Sequence, residues 1–157
     1  MAGTVHLICG MICSGKSYYA RALEKSTGAV TLSCDEITLL FPPLYEKHDE
    51  VTGKLRSLLL DKAAAVASGG CHVILEWGFW QRAYRQEVTA YFRGKDLPVR
   101  WHYIAADENT LRRHIRRRNT EGEADVYAVD EGLLDKCLSL FEAPGKDEVD
   151  EWIVPEA

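Results

Sequence analysis

Apolar residues in this chain fall into short, nearly unbroken runs, separated by longer stretches where they recur at helical spacing. The runs Val5-His6-Leu7-Ile8-Cys9 and Cys71-His72-Val73-Ile74-Leu75 show the first pattern. Continuous rather than alternating apolar runs suit strands covered on both faces, as in a parallel sheet. The pattern predicts strands near 4–9, 29–34, 71–76, 98–105 and 150–154, and helices over 16–27, 51–68, 81–94, 107–119 and 130–142. Gly69-Gly70 and Gly94 are placed to stop two of those helices. The segments 41–50, with Pro42-Pro43, and 120–129, with Gly122 among acids, read as loops. Strand and helix in alternation imply an α/β fold with right-handed crossovers. No repeat or linker breaks the pattern, so one domain over 1–157 is expected, long enough to bury a core.

One junction in this pattern carries chemistry. Between the first strand and the first helix stands Gly10-Met11-Ile12-Cys13-Ser14-Gly15-Lys16-Ser17, the pattern GxxxxGK[ST] in a strand–turn–helix context. Glycines let the backbone curl until successive N–H groups point inward around a phosphate, and the helix dipole adds a favourable field. Lys16 would reach the β- and γ-phosphates, Ser17 would hold Mg²⁺, and Tyr18 begins the helix behind them. The alternative, a glycine-containing turn with a surface lysine, does not account for the flanking strand and helix.

Composition narrows the setting. Hydrophobic content of 46% and charged content of 27% are those of an ordinary globular domain. No apolar stretch approaches a membrane span, and the motif begins so early that no targeting segment is expected before it. The five cysteines, Cys9, Cys13, Cys34, Cys71 and Cys137, are an odd number without a CxxC pair. Reduced thiols and a cytoplasmic location are the expectation. A net charge of −5 argues against broad, non-specific binding of nucleic acid, while leaving room for a local basic groove.

Two acids close strand-like runs: Asp35 after Val30-Thr31-Leu32-Ser33-Cys34, and Glu76 after Val73-Ile74-Leu75. Ligands of open α/β sheets sit beyond the carboxyl ends of the strands, so both acids are expected at the rim of the phosphate site. Phosphoryl transfer needs Mg²⁺ and often a carboxylate to take the acceptor proton. Asp35 also reads as a helix N-cap with Glu36 in the first turn, which is compatible with a catalytic role. After Glu76 comes Trp77-Gly78-Phe79-Trp80-Gln81-Arg82-Ala83-Tyr84-Arg85. Trp77 and Trp80 would form a stacking surface for a ring-bearing acceptor, or plug the core. Arg82 and Arg85, three apart on one helix face, would orient substrate or pair with surface acids. The segment Leu111-Arg112-Arg113-His114-Ile115-Arg116-Arg117-Arg118-Asn119 places arginines beside an apolar stripe of Leu111 and Ile115. A lid over about 113–129 would let Arg113, Arg117 or Arg118 reach a transferring phosphate; the bland reading is a solvated basic face.

With these residues assembled, the chain resembles the small P-loop kinases, in particular the group of chloramphenicol phosphotransferase, zeta toxins, polynucleotide 5′-kinases and bacterial predicted ATP-binding kinases. The resemblance runs through the loop, Leu32-Ser33-Cys34-Asp35, Val73-Ile74-Leu75-Glu76-Trp77-Gly78-Phe79-Trp80, Arg118-Asn119 and Phe141-Glu142-Ala143-Pro144. It implies a five-stranded parallel sheet in the order 2-3-1-4-5, with ATP as donor, Mg²⁺ near Glu76 and Asp35 as the base. It also implies that Pro144 and Lys146 lie near the adenine. The chain departs from the group in three places. Glu76 stands where Asp is usual, His114 where Arg is common, and Thr38 where polynucleotide kinases carry an arginine.

The reading is therefore an ATP- and Mg²⁺-dependent phosphotransferase acting on a hydroxyl of a small molecule. Lys16, Asp35 and Arg118 are its expected catalytic residues, and segments 35–55 and 77–85 are expected to frame the acceptor. A polynucleotide or nucleoside 5′-hydroxyl kinase and a non-catalytic ATP-sensing module are the alternatives.

Overall fold

The computed structural model describes residues 1–41, 47–121 and 129–155. Five strands, β1 (Val5–Gly10), β2 (Val30–Leu32), β3 (Val73–Gly78), β4 (Val99–Ile104) and β5 (Glu151–Ile153), form one sheet in the order β2-β3-β1-β4-β5. Every neighbouring pair is parallel. The helices are α1 (Lys16–Thr27), α2 (Cys34–Leu40), α3 (His48–Ser68), α4 (Arg82–Arg93), α5 (Glu108–Glu121) and α6 (Glu131–Leu140). This is the α/β P-loop fold with the strand order expected from the resemblance.

Alternation along the central strands divides the core in two. Val5, Leu7, Cys9, Val73 and Leu75 pack against Ala63, Ala64 and Ala67 of α3 and Val88 and Phe92 of α4. Ile8, Ile74 and Ile104 face the other way, towards Ala20 of α1. β1 is buried along its whole length, which is why its run is continuous in apolar residues. A third cluster of Met11, Leu111, Ile115, Val129, Leu134 and Cys137 seats α5 and α6 against the loop after β1. The Leu111–Ile115 stripe thus fixes where the arginine-rich helix lies.

The elements differ from expectation at three points. Residues 34–40 form a helix that only the N-cap reading of Asp35 anticipates, and α3 starts at His48 rather than 51. The cap of α2 is Ser33, whose hydroxyl accepts from the Glu36 N–H at 3.4 Å, so Asp35 lies in the first turn and is not the N-cap. β3 continues through Gly78, so Glu76 is its fourth residue and not its end. Of the two predicted loops, residues 42–46 and 122–128 lie outside the described residues, and the part of the predicted lid that follows α5 falls largely on the latter.

Behind the sheet, the half-buried Tyr19 and two buried histidines form a chain of hydrogen bonds. Tyr19 Oη lies 2.8 Å from His102 Nδ1, and His102 Nε2 lies 3.0 Å from His6 Nδ1. Neutral rings satisfy it when Tyr19 donates to His102 and His102 donates to His6. Burial pushes both histidines down to about 4, with smaller contributions in the same direction from His72 and Arg100 at His6 and from His6 and Arg100 at His102. Unfolded, they would protonate near the ordinary 6.5. The unfolded chain therefore takes up protons between pH 6.5 and 4 that the folded chain refuses, and stability falls as pH falls through that window. The expected loss is on the order of 1–2 kcal/mol per histidine by pH 5. Urea midpoints at pH 7.5 and 5 measure it, and equal midpoints would contradict it.

Candidate active site

The loop after β1 is shaped by two residues in the left-handed region, Cys13 at φ 58° and Gly15 at φ 102°. Gly15 is the N-cap of α1, where its lack of a side chain removes the steric cost. Gly10 is needed for space, because a Cβ there would lie 2.8 Å from the fully buried Ser14 Oγ. Within this cradle Lys16 Nζ donates to the carbonyls of Met11 at 2.6 Å and Gly10 at 3.2 Å. Desolvation lowers the lysine's pKa, opposed by the negative charges of Glu76 and Asp35. A desolvated ammonium held by two carbonyls is ready to exchange them for phosphate oxygens.

Glu76 comes to the loop through an irregularity in the sheet. Leu7 pairs with Leu75 but Cys9 pairs with Gly78, so β3 carries one extra residue opposite Ile8. A bulge of this kind re-aims a side chain beside a site. Ser17 Oγ donates to Glu76 Oε2 at 3.1 Å. Burial raises the pKa of Glu76, and the Ser17 hydroxyl, Lys16 and the Ser33 hydroxyl act against it; Asp35 raises it further. Asp35 is exposed at the start of α2. Lys16, Glu76 and Asp35 therefore form one electrostatically coupled group beside the loop.

A hydroxyl and a carboxylate side by side are hard oxygen donors suited to Mg²⁺, which keeps several waters and is usually held by one or two protein oxygens with substrate phosphates. Among the described residues no cluster of three or more His, Cys, Asp or Glu could hold a metal by itself. Ser17 and Glu76 thus fit a Mg²⁺ that arrives with a nucleotide.

The arginine-rich helix closes one side. Arg118 Nη1 donates to Cys13 Sγ at 2.8 Å, and His114 Nδ1, facing a carbonyl and so the donor, lies 2.7 Å from Cys13 O. Asn119 Nδ2 donates to the Val129 carbonyl at 3.1 Å, tying the end of α5 to the start of α6. Arg113 donates to Thr110 Oγ1, and Arg117 is exposed beside Glu121. Of the three candidate arginines, Arg118 is the one in contact with the loop. The role of His114 was visible only as an odd residue in an arginine run.

The aromatic segment serves the loop and the core together. Trp80 Nε1 donates to the Gly10 carbonyl at 3.1 Å, while Trp77 stacks on Phe79 with centroids 5.2 Å apart. Gly78 must be glycine: its φ is 91°, and a Cβ would stand 2.7 Å from Trp80 Nε1. Arg85, expected on the surface or at the substrate, is buried. Its guanidinium donates to Phe79 O at 2.8 Å and to Glu148 Oε1 at 3.2 Å, so it anchors the protein and is not free for substrate. Arg82 stays exposed, with its backbone N–H 3.4 Å from Glu142 Oε2. Pro144 is buried, Lys146 Nζ lies 5.6 Å from the centre of the Trp152 ring, and Tyr18 is 78% exposed.

Comparison with solved structures gives the same architecture. A kinase described as putative, from Chloroflexus aurantiacus j-10-fl, superposes with a TM-score of 0.75 at 17% identity, over 98% of this chain and 88% of its own. A gluconokinase from Sinorhizobium meliloti 1021 superposes with a TM-score of 0.66 at 18% identity, over 98% and 81%. The Mycobacterium tuberculosis APS kinase CysC, in complex with AMPPNP and APS, gives 0.68 at 14% identity over 99% and 90%. At these identities the likeness is one of fold. Among curated proteins none matches the chain. The family model described as AAA domain matches residues 5–144, from the first residue of β1 to the segment before β5, and the chain belongs to that family.

Proposed function

We propose that this chain is an ATP-dependent kinase that transfers the γ-phosphoryl group to a hydroxyl of a small molecule. The observation that carries the reading is the geometry of the phosphate loop, with Lys16 Nζ on the Met11 and Gly10 carbonyls, Ser17 Oγ donating to Glu76 Oε2 at 3.1 Å, and Asp35 in the first turn of α2. Backbone N–H groups over Gly10–Ser17, including those of Met11, Ile12, Cys13 and Ser14, cradle the phosphates, with Tyr18 continuing the first turn of α1. Lys16 leaves its two carbonyls for the β- and γ-oxygens. Ser17 and Glu76 hold Mg²⁺, which when bound neutralises phosphate charge. Asp35 accepts the acceptor's hydroxyl proton as its oxygen bonds to the γ-phosphorus; the bond from that phosphorus to the bridging oxygen breaks and ADP leaves. Arg118, already against Cys13, meets the charge of the transferring group. The kinases among the structural neighbours support this class of reaction.

Finer assignments belong to the same proposal. Pro144 and Lys146 lie by the adenine, Trp77, Trp80 and Arg82 border the acceptor, and the chloramphenicol phosphotransferase group is the subfamily its motifs favour. The polynucleotide alternative is weakened by the arginine helix itself. Arg112 pairs with Glu108 and Asp135, Arg116 lies 3.8 Å from Glu131, and Arg117 lies 4.0 Å from Glu121. Such a face is already largely neutralised and suits a polyanion poorly.

Asp35→Asn tests the proton-accepting role. We expect a fall of about 10²–10⁴ in kcat for phosphotransfer with KM for ATP little changed. Rates are measured with the acceptor that stimulates ATP use by the wild type. Unaltered kcat would remove the base assignment.

A further inference from the structure

Near Cys34, at the start of α2, α3 brings a charged side chain into the protein. Arg56 lies on the inward stripe of α3, in step with the buried Thr52, Leu59 and Ala63. Its guanidinium stands 5.6 Å from the centre of the Tyr84 ring, and Tyr84 continues the stack of Phe79 and Trp77. Among the described residues, the Arg56 Nε, the Trp77 Nε1 and the Tyr84 Oη are buried without a partner at full hydrogen-bond geometry, although the indole N–H lies towards the Tyr84 oxygen and Arg56 towards the Cys34 thiol. No carboxylate among the described residues forms an ion pair with Arg56. The indole N–H and Arg56 both favour the ionised phenol, yet burial, the larger effect, still raises the pKa of Tyr84. The nearest thiol, Cys34, is pushed up to about 11 by burial, so it stays neutral near pH 7 and is no counterion.

Position and chemistry agree. The helix α2 packs on α3, and Cys34 feels both Arg56 and its chain neighbour Asp35, so the guanidinium lies on the Asp35 side of the site. Arg and Trp side chains donate and cannot accept, and Tyr can donate. A buried donor left unpaired is costly, most of all when it is charged, so Arg56 with its two polar neighbours calls for an acceptor-rich anion. Resting on the kinase reading above, we propose that Arg56, with Tyr84 and Trp77, is an anion-recognising subsite for the acceptor. The molecule phosphorylated is then an alcohol that also carries a carboxylate or a phosphate. The anion docks on Arg56 and presents its hydroxyl to Asp35.

The test separates this inference from the kinase reading by measuring binding and transfer independently. Full-length protein loaded with Mg²⁺ and AMPPNP is titrated with a panel of hydroxy acids and alcohol phosphates. Each is matched with its neutral amide or parent alcohol, and tryptophan fluorescence and thermal melting are followed. We expect at least one anion to bind ~10-fold or more tighter than its neutral partner, the value of one charge-assisted hydrogen bond. Arg56→Met should erase that ratio, and Arg56→Lys, which keeps the charge without the fork, should reduce it. Comparing the two series shows whether carboxylate or phosphate is preferred. Equal binding of anions and neutrals, no binding of any anion up to millimolar concentration, or a ratio unchanged in both variants would overturn the subsite. With ATP in place of the analogue, Arg56-dependent binding without transfer would instead refute the kinase reading and leave the subsite standing.

Discussion

Replacing Lys16 by alanine should lower ATP turnover at least ~100-fold while leaving the fold intact. The ammonium sits in the loop within hydrogen-bond reach of two carbonyls, and its desolvation is unfavourable to the folded state. On the proposed mechanism, removing it deletes a charge that meets the transferring phosphoryl group, and such preorganised charges are worth several kcal/mol in a water-poor site. It also relieves the folded protein of a costly buried cation, so the urea midpoint should hold or rise slightly. Steady-state ATP consumption and urea unfolding on the same preparation check both halves. Turnover within a few-fold of wild type would mean that the loop holds no nucleotide in a productive way.

Arg85→Ala should produce the largest loss of stability, about 3–5 kcal/mol, as expected when one member of a buried ion pair is deleted. Arg85 is 3% exposed and Glu148 15%. The guanidinium joins three pieces of chain: α4, the Phe79 carbonyl after β3, and the Gly145–Glu148 turn before β5. Burial alone would raise the pKa of Glu148, but the Gly145 N–H and Arg85 outweigh it and hold the carboxyl below its ordinary value. Without Arg85 the carboxylate and the Phe79 carbonyl both lose their partner. Arg85→Met, which keeps the packing, should lose less, and Arg85→Met with Glu148→Met less still. Equilibrium urea unfolding measures the series; a loss under 1 kcal/mol for Arg85→Ala would show that the pair is not an anchor.

How far these features could be read from the chain depends on whether their cause is local. The loop, its strand and its helix are local, and they appear where the pattern puts them. The sheet order is not local. It came through resemblance, because nothing in the strand runs themselves says that β3 neighbours β1. The helix α2 was legible only as a cap at Asp35, two residues late, because it follows β2 almost without a break and its actual cap, Ser33, lies inside what reads as a strand. Glu76 was expected near the loop but for an incomplete reason. Its placement depends on a bulge created by pairing with β1, and a bulge leaves no trace in one strand's composition.

Arg85 and Arg56 show a different gap. Each stands on the apolar stripe of its helix, Arg85 with Val88 and Phe92, Arg56 with Leu59 and Ala63. That spacing was available, but a charged residue is ordinarily assigned to the solvent face. Whether it finds a carboxylate, as Arg85 does, or none among the described residues, as Arg56 does, is decided by tertiary contacts alone.

The most direct measurement is ³¹P NMR of ATP, Mg²⁺ and purified protein with each of a panel of hydroxyl-bearing compounds, run beside Lys16→Ala. The account predicts a phosphomonoester resonance that grows with ADP for at least one small acceptor and is absent in the variant. ATP converted only to ADP and inorganic phosphate, at a rate no acceptor changes, would contradict it and point to a nucleotide-sensing module.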